Sequence, residues 1–143
     1  LLDVYADTTA RGPLTEMGWQ ITPEGIGNLP LRWHQEYGTK IPAIYITENG
    51  CAYGDGPDAN GQVKDVKRID YLQKHLASLG GSISKGVPVK GYFQWSLMDN
   101  FEWALGYEKR FGIVHVDFDT QKRTIKDSGY WYADVIAKNG ENI

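Results

Sequence analysis

The sequence has one cysteine, Cys51, in 143 residues, so no intrachain disulfide can form. It has no run approaching the ~20 apolar residues of a membrane span, and no basic start leading into an apolar stretch of the kind that marks a secretory signal. Positive charge is not in excess. Lys and Arg total 15 against 18 Asp and Glu, a formal net charge of -3, whereas a nucleic-acid binder carries a basic patch. His34, His75 and His115 show no paired ligand spacing, so they read as surface or packing residues, and no metal or cofactor is expected. No base near Cys51 in the sequence suggests a nucleophile, so it reads as a buried or loop-edge thiol. A chain this poor in cysteine fits a reducing, cytoplasmic setting. Leu1 rather than Met stands first, and a preceding segment is expected.

What is present is ordinary in bulk and unusual in detail. The hydrophobic share is 41%, normal for a globular domain. Five Trp and nine Tyr are a heavy load for this length. Aromatic faces stack on the C–H faces of sugar rings, but they also fill cores and interfaces, and the count alone favours the core.

The order of elements is more informative. Thr22-Pro23-Glu24 marks a helix start, with Thr22 as cap and Pro23 at the first helical position. Ile26, Leu29, Trp33 and Tyr37 follow at helical spacing. Pro30 interrupts them, which places the regular helix nearer Asn28 after a looser turn; Gly38 ends it. Ala43-Ile44-Tyr45-Ile46-Thr47 is a short, continuous apolar run, the pattern of a parallel strand buried on both faces. A long glycine-rich loop follows. Asp65 caps a second helix, in which Ile69, Leu72, Leu76, Leu79 and Ile83 keep helical period; Gly80-Gly81 weakens it and Gly86 closes it. Val87 to Leu97 is another buried strand, and an aromatic loop runs from Asp99 to Phe111. Residues 113–118 pair briefly as a strand. Asp127 or Ser128 caps a last helix, with Trp131, Val135 and Ile136 facing inward, and Asn139-Gly140 stops it.

Alternating strands and helices imply an α/β fold with parallel strands and right-handed crossovers. Two principal strands cannot cover themselves. A complete eight-stranded α/β barrel takes ~250 residues, so the pattern suits the last part of one, and alone it leaves apolar strand edges open.

Two places break the structural pattern. Glu48 directly follows a buried strand, where barrels hold their catalytic groups; it is either a carboxylate aimed at the barrel mouth or a Glu that caps the next turn or pairs with an Arg. The nine residues from Trp95 to Trp103 hold two Trp, two acids and an Asn. That mixture suits sugar recognition, a flat apolar platform plus acceptors for vicinal hydroxyls, or else a structural loop with aromatic anchors. A charged Glu102 between Phe101 and Trp103 is harder to place in the second role, because burying it demands a partner.

Ile46-Thr47-Glu48-Asn49-Gly50 resembles the nucleophile motif of glycoside hydrolase family 1, the β-glucosidase and β-galactosidase family. The run from Gly91 to Gly112 is similar to that family almost residue for residue. Met17-Gly18-Trp19, Lys122-Arg123-Thr124 and Lys126-Asp127-Ser128 match it too. The resemblance covers nearly the whole chain. It implies that residues 1–143 are the C-terminal segment of a single (β/α)8 barrel domain, with strand seven at 43–48 and strand eight at 89–96. Glu48 carries over as the nucleophile of a retaining β-glycosidase and Trp95 as the platform beneath the glycone. Glu102 is implied to bind the hydroxyls at C4 and C6, and Trp103 the hydroxyl at C3. A non-proline cis peptide is implied between Trp95 and Ser96. An acid at Glu102 repels a phosphate dianion, so the resemblance favours unphosphorylated β-glycosides over 6-phosphoglycosides.

One piece is absent. A retaining glycosidase needs two carboxyls about 5–5.5 Å apart, and the family's acid/base Glu lies in a Thr-x-Asn-Glu-Pro motif that this sequence lacks. Asp99 and Glu102 are poor substitutes, since both sit on the strand-eight loop. The expected partner is therefore the N-terminal part of the same barrel, and these residues alone are expected to be inactive. A non-catalytic sugar-binding derivative and a transglycosylase of the same family remain as alternatives.

Overall fold

A computed structural model describes residues 12–143; residues 1–11 of the expected segment lie outside the described part. Helix α1 (Pro23–Tyr37) leads through a 3-10 turn (Gly38–Lys40) into strand β1 (Ile44–Asn49). After the long loop come helix α2 (Val66–Ile83) and strand β2 (Val89–Gln94). A 3-10 turn (Trp103–Leu105), strands β3 (Val114–Val116) and β4 (Arg123–Ile125), and helix α3 (Asp127–Ala137) complete the chain. Among the described residues no helix is long and apolar enough to cross a membrane.

β1 and β2 pair in parallel, with Ile44 opposite Val89 and Ile46 opposite Tyr92. They are not buried on both faces as their composition suggests. Tyr45 and Phe93 share a face and are 56% and 58% exposed. The helices of an α/β barrel cover the outside of its sheet, so this open face is the one a closed barrel turns inward. β3 and β4 form a separate antiparallel pair, with His115 opposite Thr124; the expected strand at 113–118 exists, with a partner the apolar pattern does not announce.

α1 departs from expectation at Pro30. The helix runs unbroken from Pro23, with Pro30 inside it. An interior proline costs about 3 kcal/mol or more in a free helix, but Pro30 and Gly27 are both buried. The backbones approach so closely here that a Cβ on Gly27 would meet the Ser78 carbonyl of α2 at 2.5 Å. Packing against α2 therefore offsets the lost hydrogen bond. The Leu29, Trp33 and Tyr37 stripe is exposed, so α1 has a second apolar face with no cover among the described residues.

α2 runs through Gly80-Gly81 to Ile83, and Gly86 follows it at φ 89°. Its buried face is Arg68, Tyr71, Leu72, His75, Leu79 and Ser82, rotated from the aliphatic stripe, with the charged Arg68 at its N-terminal end. Asp65 occupies the N-cap position but makes no cap bond to α2. Its carboxylate accepts hydrogen bonds from the Ser128 amide at 2.8 Å and the Ser128 hydroxyl at 2.5 Å. Asp65 thus caps α3 across 63 residues of sequence, and neither Asp127 nor Ser128 caps it. In α3, Val135 is buried and Trp131 packs on the core of Cys51, Tyr53, Tyr71 and Leu72, whereas Ile136 faces solvent. An 11-residue helix with a single buried apolar turn has no second inward position for it.

Candidate active site

Glu48 sits near the C-terminal end of β1. It lines a cleft of about 540 Å³ together with Trp19, Asn49, Gly50, Tyr71, Trp95, Glu102, Trp103 and Phe111. The four residues singled out from the sequence, Glu48, Trp95, Glu102 and Trp103, therefore meet in one concavity although up to 55 residues separate them in sequence. The Glu48 carboxylate makes no hydrogen bond or ion pair to another described residue, so it is committed neither to capping a turn nor to an Arg.

The floor of the cleft is a contact between backbones. The Trp95 amide donates to the Asn49 carbonyl at 2.9 Å. Gly50 lies against the Trp95 carbonyl so tightly that a Cβ would stand 1.7 Å from that oxygen. Gly50→Ala must push the two strand ends apart; a stability loss of about 2 kcal/mol is expected, read as a lowered urea midpoint. The peptide between Trp95 and Ser96 is cis, as the resemblance implies.

The strand-eight loop turns on Asp99. This carboxylate is buried and accepts from Arg110 Nη1 at 2.7 Å, Lys126 Nζ at 3.0 Å, and the amides of Gly112 at 3.0 Å and Val116 at 3.3 Å. Burial pushes the Lys126 amine below its usual range, while the Asp99 charge beside it opposes that shift. With four donors on two oxygens, Asp99 has no capacity left for proton transfer. Its role is to fold the loop. Beyond it, the Ser96 hydroxyl donates to the Met98 carbonyl at 2.7 Å. The Asn100 side-chain amide donates to Glu102 Oε2 at 3.2 Å, and the Glu102 amide donates to the Gly106 carbonyl at 2.7 Å. Glu102 is half-buried. Trp103, at φ 45°, is 85% exposed.

Arg68 joins the two halves of the site. It is 0% exposed. Its Nε donates to Asp65 at 2.8 Å and its Nη2 to Asp55 at 3.0 Å and the Arg110 carbonyl at 3.1 Å. Its Nη1 donates to the carbonyls of Cys51 and Phe111. One guanidinium thus grips the loop after β1, the start of α2 and the loop after β2.

A model of the family described as "Glycosyl hydrolase family 1" matches residues 3–141. The chain belongs to that family. It is 56% identical over 128 residues to β-glucosidase A of Thermotoga maritima, covering 90% of this chain and 28% of that protein. It is 48% identical over 125 residues to a 6-phospho-β-galactosidase of Streptococcus equi, covering 87% and 26%. The solved Thermotoga maritima family 1 β-glucosidase superposes with a TM-score of 0.87 at 53% identity, over 96% of this chain and 30% of that one. This family 1 chain therefore spans less than a third of the relatives it matches, and its fold is the C-terminal part of their α/β barrel, β1 and β2 being strands seven and eight.

Several residues that shape this family 1 cleft were not singled out from the sequence. Trp19 is carried on a tight turn, where the Thr15 amide donates to the Trp19 carbonyl at 2.9 Å, and its ring lies 6.0 Å from that of Phe111. The resemblance covers Met17-Gly18-Trp19 but implies no role for it. Arg68 carried a readable signal, a charge in helical register with Leu72 and His75. Asp55 carried none, Asp65 reads from the sequence only as a helix cap, and Lys126 belongs to a matching motif with no role implied. Cys51 is buried in the core, where burial pushes its thiol up to about 12, far from a reactive thiolate. His75 and His115 are buried packing residues, and burial lowers the pKa of both. Among the described residues no group of three or more His, Cys, Asp or Glu is arranged to hold a metal ion.

Proposed function

We propose that this chain supplies the nucleophile and most of the glycone platform of a retaining β-glycosidase acting on unphosphorylated β-glucoside-like substrates. The observation that carries it is Glu48: a carboxylate at the mouth end of a strand, uncommitted to any described neighbour, in a cleft walled by indole rings. Glu48 attacks the anomeric carbon from the α face as the bond to the leaving oxygen breaks, giving a covalent glycosyl-enzyme. A second carboxyl, contributed by the N-terminal part of the barrel, protonates that oxygen. The same carboxyl then takes a proton from the water that releases the sugar, so the β configuration is retained. Trp95 stacks on the apolar face of the sugar, Glu102 accepts hydrogen bonds from the hydroxyls at C4 and C6, and the Trp103 indole N–H donates to the oxygen at C3. The β-glucosidases among the relatives support this reading. Without the second carboxyl these residues alone turn over no substrate.

The test uses a completed barrel, this chain fused to the N-terminal part of the Thermotoga maritima β-glucosidase. A 2-deoxy-2-fluoro-β-glucosyl fluoride is expected to leave one fluoroglucosyl group on the peptide containing Glu48, seen by mass spectrometry. The 6-phosphorylated reagent is expected to label about 100-fold more slowly, since apposing like charges costs about 3 kcal/mol. A label on any other carboxylate overturns the nucleophile assignment. Faster labelling by the phosphorylated reagent overturns the role of Glu102.

A further inference from the structure

We propose that Tyr92 and Tyr71 are positioning residues which, by gripping the side chain of Asn49, fix the end of β1 and hold the Glu48 carboxylate on its line of attack. This rests on the reading of Glu48 as the nucleophile.

The regular β1–β2 ladder does not reach Glu48. Ile46 is paired with Tyr92, the register then shifts, and pairing resumes only at Asn49 opposite Gln94. Thr47 and Glu48 lie inside that irregularity, so backbone pairing alone leaves their direction underdetermined. The next residue is held from two sides by side chains. Tyr92, on β2, donates its hydroxyl to Asn49 Oδ1 at 2.8 Å. Asn49 Nδ2 in turn donates to the Tyr71 hydroxyl, on α2, at 3.2 Å. With the Asn49 carbonyl already accepting from Trp95, the residue after Glu48 is tied to a strand, to a helix and to the platform tryptophan. Gly50, jammed against the Trp95 carbonyl, closes the other exit. The Glu48 backbone is thereby fixed just downstream of the place where the ladder lets go.

The grip keeps the same polarity across the working pH range. Burial pushes the Tyr71 phenol up to about 12 and the Tyr92 phenol further still, so both hydroxyls stay protonated. Both rings have independent support. Tyr71 stacks on His75 with centroids 3.9 Å apart, and Tyr92 meets Tyr132 edge-on at 6.4 Å. Removing a hydroxyl therefore deletes the bond to Asn49 and leaves the ring packed. A nucleophile needs this support because a misplacement of about 1 Å costs on the order of 100-fold in rate.

The experiment is done on the completed barrel. Tyr92→Phe is expected to lower the first-order rate constant for fluoroglucosyl labelling of Glu48 by about 10- to 100-fold, while the dissociation constant of the reagent before labelling changes by less than about threefold. Tyr71→Phe, a change on another element, is expected to give the same split with a smaller drop. Asn49→Ala, which removes both bonds, is expected to give the same split with a drop at least as large as that of Tyr92→Phe, and adding Tyr92→Phe to it lowers the rate no further, because the linkage is already broken. Two results overturn the proposal: a Tyr92→Phe barrel that melts earlier but labels at the parent rate, or full additivity with Asn49→Ala. If Tyr92→Phe fails to fold, Tyr71→Phe and Asn49→Ala decide the matter by the same split. A parent barrel labelled away from Glu48 instead overturns the nucleophile reading, and the grip with it.

Discussion

Glu48→Gly in the completed barrel lowers turnover of an aryl β-glucoside on the order of 10⁴- to 10⁶-fold, the scale on which removing a covalent nucleophile acts. Added azide then restores part of the rate and changes the product. The carboxylate leaves a hole on the α face of the anomeric carbon, and a small anion fits there. Azide nitrogen bonds to that carbon as the bond to the phenolate oxygen breaks; a good leaving group needs no proton. The product is therefore the α-glycosyl azide, inverted relative to substrate, which proton NMR of the anomeric centre identifies. Glu48→Gln fills the hole and should resist rescue. Parent-like turnover in Glu48→Gly, or a β-configured azide product, would contradict a nucleophile at this position. The prediction separates Glu48 from Glu102, whose removal weakens sugar binding and opens no site for azide on that face.

The largest loss of stability is expected from Arg68→Met. Arg68 and Asp65 are both fully buried and their ion pair measures 2.8 Å; Asp55 is the second partner at 3.0 Å. Breaking a buried pair by removing one member costs about 3–5 kcal/mol, because the remaining charge has no compensation. Here two carboxylates and three carbonyls lose a donor together. Burial already raises the Asp55 carboxyl above its usual range, with Arg68 as the main opposing influence. Without Arg68 the carboxyl moves higher still. A group whose folded pKa lies above its unfolded value destabilises the folded state as pH rises through the carboxylate range, so the Arg68→Met penalty should grow from acid to neutral pH. Arg68→Lys should recover little, since one ammonium cannot reproduce a fork spread over three segments. Urea unfolding of the completed barrel at several pH values checks both statements. A loss below about 1 kcal/mol at neutral pH would mean that Arg68 is not the clamp its contacts describe.

The alternation of strands and helices is legible from periodicity because it depends on residues three, four or two apart. Glu48 is legible for another reason: a charge placed abruptly after Ile44-Tyr45-Ile46 breaks a pattern that burial alone would have continued. The cluster from Trp95 to Trp103 stands out in the same way. What periodicity cannot carry is any contact between distant segments. Asp65 looks like the cap of its own helix and instead caps α3, because Ser128 approaches it only in three dimensions. Pro30 looks like a helix break and is not, because its helix packs against α2, where Gly27 meets Ser78, 51 residues later. The open faces at Tyr45 and Phe93, and at Leu29, Trp33 and Tyr37, have the composition of buried surface, and nothing local says that no other described residue covers them.

The reach of Arg68 also bears on how such barrels are inherited. Every atom it grips lies between Cys51 and Phe111. A genetic crossover upstream of β1 passes the clamp on whole, together with the strand end beside it, whatever sequence arrives on the other side. Recombined descendants would then share the cleft around Glu48, Trp95, Glu102 and Trp103 and differ in the rest of the barrel. Diversification of the rest of the barrel can proceed by exchange of gene segments without re-evolving this cleft.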